Sequence, residues 1–178
     1  CSSSYDYLSL YLAYSDARSI SRNHFEGFTV VGGGNCMGMF IEGGFYSGDT
    51  IRIEDNVIKD YAVTGTKNGF TIGVFIDGGE ASKTIIQRNI IQNIQRPDDY
   101  YAQGIYLENQ RDALVQSNLI SGVVGGIETI SIFASTSDGN YAYHSEIRQN
   151  TIFGDGSVSN SNQATGIGIG VHTNYIAT

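Results

Sequence analysis

Three carboxylates recur at equivalent places in this chain. Glu42 ends the stretch Gly38-Met-Phe-Ile-Glu42, Asp77 ends Gly73-Val-Phe-Ile-Asp77, and Glu108 ends Gly104-Ile-Tyr-Leu-Glu108. An aromatic residue stands two before each acid: Phe40, Phe75 and Tyr106. A looser earlier copy, Leu10-Tyr-Leu-Ala13, offers Tyr11, and a later one, Gly126-Ile-Glu128, offers Glu128. Carboxylates gathered in this way suit two kinds of chemistry. They can supply hard oxygen ligands to calcium, or raise one another's pKa until one serves as a proton donor. Aromatic rings in a row beside them would stack on the apolar faces of sugars. All of this requires residues about thirty positions apart to become neighbours.

A second pattern supplies that neighbourhood. Five segments align without gaps: Ile20-Ser-Arg-Asn23-His-Phe25-Glu-Gly27, Ile53-Glu-Asp-Asn56-Val-Ile58-Lys-Asp60, Ile86-Gln-Arg-Asn89-Ile-Ile91-Gln-Asn93, Val115-Gln-Ser-Asn118-Leu-Ile120-Ser-Gly122 and Ile147-Arg-Gln-Asn150-Thr-Ile152-Phe-Gly154. An apolar residue precedes each asparagine by three and another follows it by two, with Gly, Asn or Asp four after it. The asparagines are 33, 33, 29 and 32 residues apart. Each repeat therefore holds at least two short strands with period-2 alternation, joined by turns.

Nothing between these strands reads as a helical crossover, so they become parallel neighbours only if the chain winds into a solenoid. Coils then rise about 4.8 Å. The residues Ile20, Ile53, Ile86, Val115 and Ile147 form one interior ladder, and Phe25, Ile58, Ile91, Ile120 and Ile152 another. The asparagines occupy a turn, where their amides bond along the stack and their backbone tolerates a left-handed conformation. Alternation places Met39, Val74, Ile105, Ile41, Ile76 and Leu107 inside. It turns Tyr11, Phe40, Phe75, Tyr106 and Glu128 outward as one row, with Ala13, Glu42, Asp77 and Glu108 as the next.

Composition agrees. There are 23 glycines, one proline, no tryptophan and 12 tyrosines, a mixture suited to short strands and tight turns. A net charge of −8 argues against nucleic acid, and no apolar run is long enough for a membrane-spanning helix. His24, His144 and His172 lack metal-binding spacing, and no helix follows Gly32-Gly-Gly34 to make an anion site. Ala134–Ser145 and Gln95–Gln103 read as loops bulging beside the outward rows. Cys1, followed by three serines, suits either a fragment boundary or the acylated start of a surface lipoprotein, and Cys1 and Cys36 are a candidate pair.

The Ile-x-x-Asn-x-Ile-x-Gly pattern resembles the repeat of the pectin-lyase-like superfamily of right-handed parallel β-helices over residues 8–171. Members include polysaccharide lyases, glycoside hydrolases, epimerases, phage tailspikes and surface adhesins, so the resemblance constrains fold more than chemistry. In lyases of this kind calcium neutralises the substrate carboxylate while a Lys or Arg removes a proton. The resemblance thus implies Lys83 and Arg111 as catalytic candidates, with Lys67 and Arg96 more remote. No intact catalytic motif of the family is present to carry roles across.

The expectation is an all-β, right-handed parallel β-helix of about five to six coils without substantial helix, one domain over residues 1–178 or a piece of a longer solenoid. The leading functional expectation is a secreted or surface protein that binds or processes polysaccharide. Tyr11, Phe40, Phe75, Tyr106 and Glu128 would hold the glycan, and Glu42, Asp77 and Glu108 would bind calcium. The competing expectation is a non-catalytic structural or adhesive module whose copies stack end to end. On that view the aromatic row is covered, and the acids keep the sheet soluble or pair with Lys83 and Arg111.

Overall fold

The computed structural model describes residues 5–14, 18–31, 34–42, 50–64, 69–77, 83–96, 102–108, 112–123, 125–131, 144–154 and 167–171. Every element among them is a β-strand. The first coil runs through β1 (Tyr5–Ala13), β2 (Ser19–Ser21), β3 (His24–Glu26) and β4 (Thr29–Val31). The second comprises β5 (Gly34–Glu42), β6 (Thr50–Glu54) and β7 (Val57–Thr64), and the third β8 (Thr71–Asp77), β9 (Lys83–Gln87) and β10 (Ile90–Gln95). The fourth holds β11 (Ala102–Glu108), β12 (Asp112–Gln116) and β13 (Leu119–Val123); the fifth holds β14 (Gly125–Ser131), β15 (His144–Arg148) and β16 (Thr151–Gly154). Strand β17 (Ile167–Val171) follows.

Each coil contributes one strand to each of three sheets. Sheet A is ordered β1-β5-β8-β11-β14-β17, sheet B β2-β6-β9-β12-β15, and sheet C β3-β7-β10-β13-β16, with β4 also on β7. All pairings are parallel. The chain is a parallel β-solenoid. The asparagine stands in a turn as expected, at the corner between sheets B and C, so that its segment forms two short strands. The segments expected to bulge lie largely outside the described residues, which omit 97–101 and 132–143.

The interior ladders form as expected. Ile53, Ile86 and Val115 on sheet B and Ile58, Ile91 and Ile120 on sheet C are buried, against Met39, Val74, Ile105, Ile41, Ile76 and Leu107 on sheet A. Each such side chain contributes about 1.5–3 kcal/mol by leaving water. Sheet A can approach sheet C because glycine recurs at one inward position. A Cβ on Gly73 would lie 2.6 Å from the Gly104 carbonyl oxygen and 2.7 Å from Ile91 Cγ2. Cys36 in this core is a buried free thiol rather than half of a bridge to Cys1, and burial pushes it up to about 11. Cys1 lies outside the described residues.

The corner explains the asparagines. Asn56 Oδ1 accepts from Asn23 N and Nδ2 at 3.0 and 3.1 Å; Asn89 Oδ1 accepts the same pair from Asn56 at 3.0 and 3.0 Å. Asn118 and Asn150 repeat the arrangement. The second amide hydrogen reaches back to a sheet B carbonyl, as from Asn89 to Ile53 at 2.8 Å. Asn56, Asn89 and Asn118 are at most 2% exposed, so these bonds are obligatory.

The asparagine itself is not the left-handed residue. That role falls one position earlier, on Arg22, Asp55, Arg88, Ser117 and Gln149, with φ between 55 and 59°. The asparagine's own N–H and side chain fix the corner so firmly that the preceding residue is driven there whatever its type. A second left-handed point, Asp60, Asn93 and Gly122 (φ 63, 54 and 64°), accounts for the small or polar residue four after the asparagine.

Two substitutions should separate these effects in urea unfolding. Asn89→Ala strands the N–H groups of Asn56 and the Ile53 carbonyl in a dry corner, and stability should fall by about 3–5 kcal/mol. Ser117→Gly relieves a left-handed residue at an exposed site and should raise stability by up to about 1 kcal/mol.

Candidate functional site

The outward rows of sheet A are in register. Tyr11, Phe40, Phe75, Tyr106 and Glu128 pair in sequence across β1, β5, β8, β11 and β14, and Ala13, Glu42, Asp77 and Glu108 do so one step on. Backbone hydrogen bonding therefore delivers what the repeat implied, one aromatic and one acid per coil on neighbouring lines.

The aromatics are stacked on one another. Ring centroids lie 5.3 Å apart between Tyr11 and Phe40, 4.8 Å between Phe40 and Phe75, and 5.0 Å between Phe75 and Tyr106. The first two pairs are near parallel, at 28° and 15°, so those faces are used up. Phe75 is only 8% exposed, whereas Tyr11 is 49% exposed. Alternation slips at the glycine row, so Met37 and Phe40 share the outer side. There Met37, Ile72 and Phe75 pack with Leu8, Phe40, Phe70 and Tyr106 as a second small apolar cluster. Phe70 meets Phe75 edge-on at 6.1 Å. The row thus offers a ligand mainly ring edges, plus the free side of Tyr11.

The acids lie half-buried at the strand ends. The Tyr11 phenol donates to Glu42 Oε2, and this bond, with burial and the Glu42 charge, raises the Tyr11 pKa. Glu108 is pushed above the usual glutamate value of 4.5, first by burial and then by the Asp77 charge one coil away. The row is linear: among the described residues no group of three His, Cys, Asp or Glu side chains converges enough to hold a metal ion. Two neighbouring carboxylates could still bridge a cation whose remaining ligands came from elsewhere.

The two basic candidates among the described residues, Lys83 and Arg96, stand on other parts of the coil. Lys83 is exposed at the start of β9 and is aligned with Thr50 and Asp112 on sheet B. Arg96 is 4% exposed and packs by Gly69, beyond the opposite end of β8 from Asp77. Eight residues of extended chain between Gly69 and Asp77 span about 26 Å. Arg111 and Lys67 lie outside the described residues.

A third row went unnoticed in the sequence. On sheet B, Gln87 Nε2 donates to Glu54 Oε1 at 2.9 Å, Gln116 Nε2 donates to Gln87 Oε1, and Arg148 Nε donates to Gln116 Oε1 at 2.9 Å. Arg88 beside it clasps Asp55 at 2.7 and 3.0 Å, which lowers the Asp55 pKa. The signal was available, because each member of the ladder stands two residues before a ladder asparagine.

Fold and rows together define the class: a parallel β-solenoid with a buried asparagine ladder and a stacked acidic row. No family model matches the chain, and no curated protein or solved structure matches it either.

Glu108 gives this site a pH signature. A pKa raised by folding means that its contribution to stability is full below the unfolded glutamate value and is lost as pH rises through the folded one. In a carboxyl NMR titration Glu108 should titrate above 4.5, and Asp77→Asn should move it back toward that value. A Glu108 pKa indifferent to Asp77→Asn would refute the coupling.

Proposed function

We propose that the protein is an extracellular glycan-binding solenoid of the pectin-lyase-like kind, with its ligand lying along the acidic row of sheet A. The observation that carries this reading is a contrast between two faces of one molecule. On sheet B, stacked positions run Glu54, Gln87, Gln116, Arg148, so that each neighbour is a donor to the next. On sheet A, Glu42, Asp77 and Glu108 are stacked with no such alternation. Like charges about 5 Å apart repel by about 0.8 kcal/mol even in water. A ligand rich in hydroxyl groups relieves that repulsion by donating into each carboxylate, and the Tyr11 phenol already does this to Glu42.

The geometry favours a neutral chain of sugars. A pyranose unit is comparable in length with one coil, which permits one sugar per acid. An acidic polymer would meet the row's own charge and a molecule of net charge −8, so uronic-acid chains need a cation such as calcium between ligand and carboxylates. In strand register Glu128 on β14 follows Tyr106.

Binding to immobilised neutral polysaccharides should weaken about ten-fold in Asp77→Asn and in Glu108→Gln, each replacing a charged acceptor by a neutral amide at a cost of about 1.5 kcal/mol. Polygalacturonate should be retained only when calcium is present. Retention of neutral glycans unchanged by both substitutions would sink the reading.

A further inference from the structure

Each acid of the row on sheet A lies diagonally across from a ring of the aromatic row, two positions on and one coil up. By strand register Tyr11 is diagonal to Glu42, Phe40 to Asp77 and Phe75 to Glu108. The three diagonals differ in one group. Tyr11 carries a hydroxyl, which donates to Glu42 Oε2, whereas a phenylalanine ring has no donor to give. Tyr106, the other phenol of the row, has Ile130 at its diagonal place. A hydrogen bond to a carboxylate is stronger than one between neutral groups, and the raised pKa of Tyr11 reports the same bond as its largest cause.

A sugar hydroxyl arriving at Glu42 therefore meets an acceptor that already holds a hydroxyl. Taking that place exchanges one O–H bond to the carboxylate for another, and the exchange gains little. At Asp77 and Glu108 the diagonal ring brings no hydroxyl to exchange. We infer that Tyr11 is a built-in competitor for the ligand: its phenol occupies Glu42, so that a glycan gains affinity at Asp77 and Glu108 and not at Glu42. The inference rests on the reading of sheet A as a glycan surface. To that reading it adds the length of chain recognised, two sugar units rather than three, and the residue that sets this length. The device is separable from the fold, because the Tyr11 ring is stacked on Phe40 at 5.3 Å through its face, and phenylalanine keeps that contact.

The test uses β-1,4-linked gluco-, manno- and xylo-oligosaccharides of two, three and four units, with affinities read by isothermal titration calorimetry. In the unmodified chain affinity should stop rising beyond the disaccharide, and Glu42→Gln should leave it unchanged. Tyr11→Phe should strengthen trisaccharide binding about ten-fold, since a charged acceptor becomes available to the third unit. The double variant Tyr11→Phe/Glu42→Gln should lose that gain. Circular dichroism verifies folding, and Tyr11→Phe and Glu42→Gln each test the inference alone. Trisaccharide binding unchanged or weakened in Tyr11→Phe overturns it and leaves the glycan surface standing, as does a ten-fold loss in Glu42→Gln alone. Absence of binding to all of these sugars in both the unmodified chain and Tyr11→Phe sinks the glycan surface itself, and the inference with it.

Discussion

One side-chain oxygen per coil governs this molecule. In each asparagine above the first the Oδ1 accepts both the backbone N–H and the amide of the asparagine below, while the amide's other hydrogen returns to a sheet B carbonyl. The corner between sheets B and C therefore closes without water, and the chain around it is bonded as well. The left-handed residue donates to the coil above, as Asp55 N does to the Gln87 carbonyl at 3.2 Å, and Val57 N donates to the Asn23 carbonyl at 2.9 Å. Backbone groups in a dry corner are expensive to leave unpaired. A shorter or longer side chain would set the carbonyl at the wrong height, and a carboxylate would lack the donor. Asparagine at this position thereby fixes coil height and register together, and through them every row on every face.

Much of this was legible before any coordinates. Stacking turns sequence offsets into spatial neighbours, so five asparagines at near-constant spacing were enough to place Phe40 beside Phe75 and Asp77 beside Glu108. The corner's backbone was not legible, because residues as unlike as Arg22, Asp55 and Ser117 are held left-handed by bonds their neighbour makes. A covered aromatic row was the competing expectation, but the residues that pack against it were not legible. Simple alternation placed Met37 opposite Phe40 in orientation, and the glycine row breaks that alternation locally, so that Met37, Ile72 and Phe75 cluster on the outer side. Arg96, which the family resemblance implied as a remote candidate base, is buried beside Gly69, where a Cβ would reach within 3.0 Å of its Nη1.

The same stacking makes a solenoid selective about which residues it tolerates in a row. Isoleucine above isoleucine gains by burial, asparagine above asparagine is self-complementary, and ring above ring shares faces at 4.8–5.3 Å. Carboxylate above carboxylate is the exception, since it offers acceptors and no donor. Where such a position lay on sheet B, the chain varied it from Glu54 through two glutamines to Arg148 and obtained a continuous ladder. Sheet A keeps Glu42, Asp77 and Glu108, and Glu108 shows the consequence in a raised affinity for its proton.

That contrast bears on how a site can arise on a scaffold whose interior is devoted to repetition. Among the described residues the interior is given largely to the asparagine and isoleucine ladders, so the proposed site lies on an outward row, and a row satisfied by its own members has little bonding capacity to spend on a ligand. The aromatic row is largely satisfied by its own stacking and by Phe70. The sheet B row is satisfied by its amides and by Arg148. Of the rows that can be followed across several coils, the acidic one alone repeats the same charge at regular height, and a ligand that answers it must itself repeat with the coil.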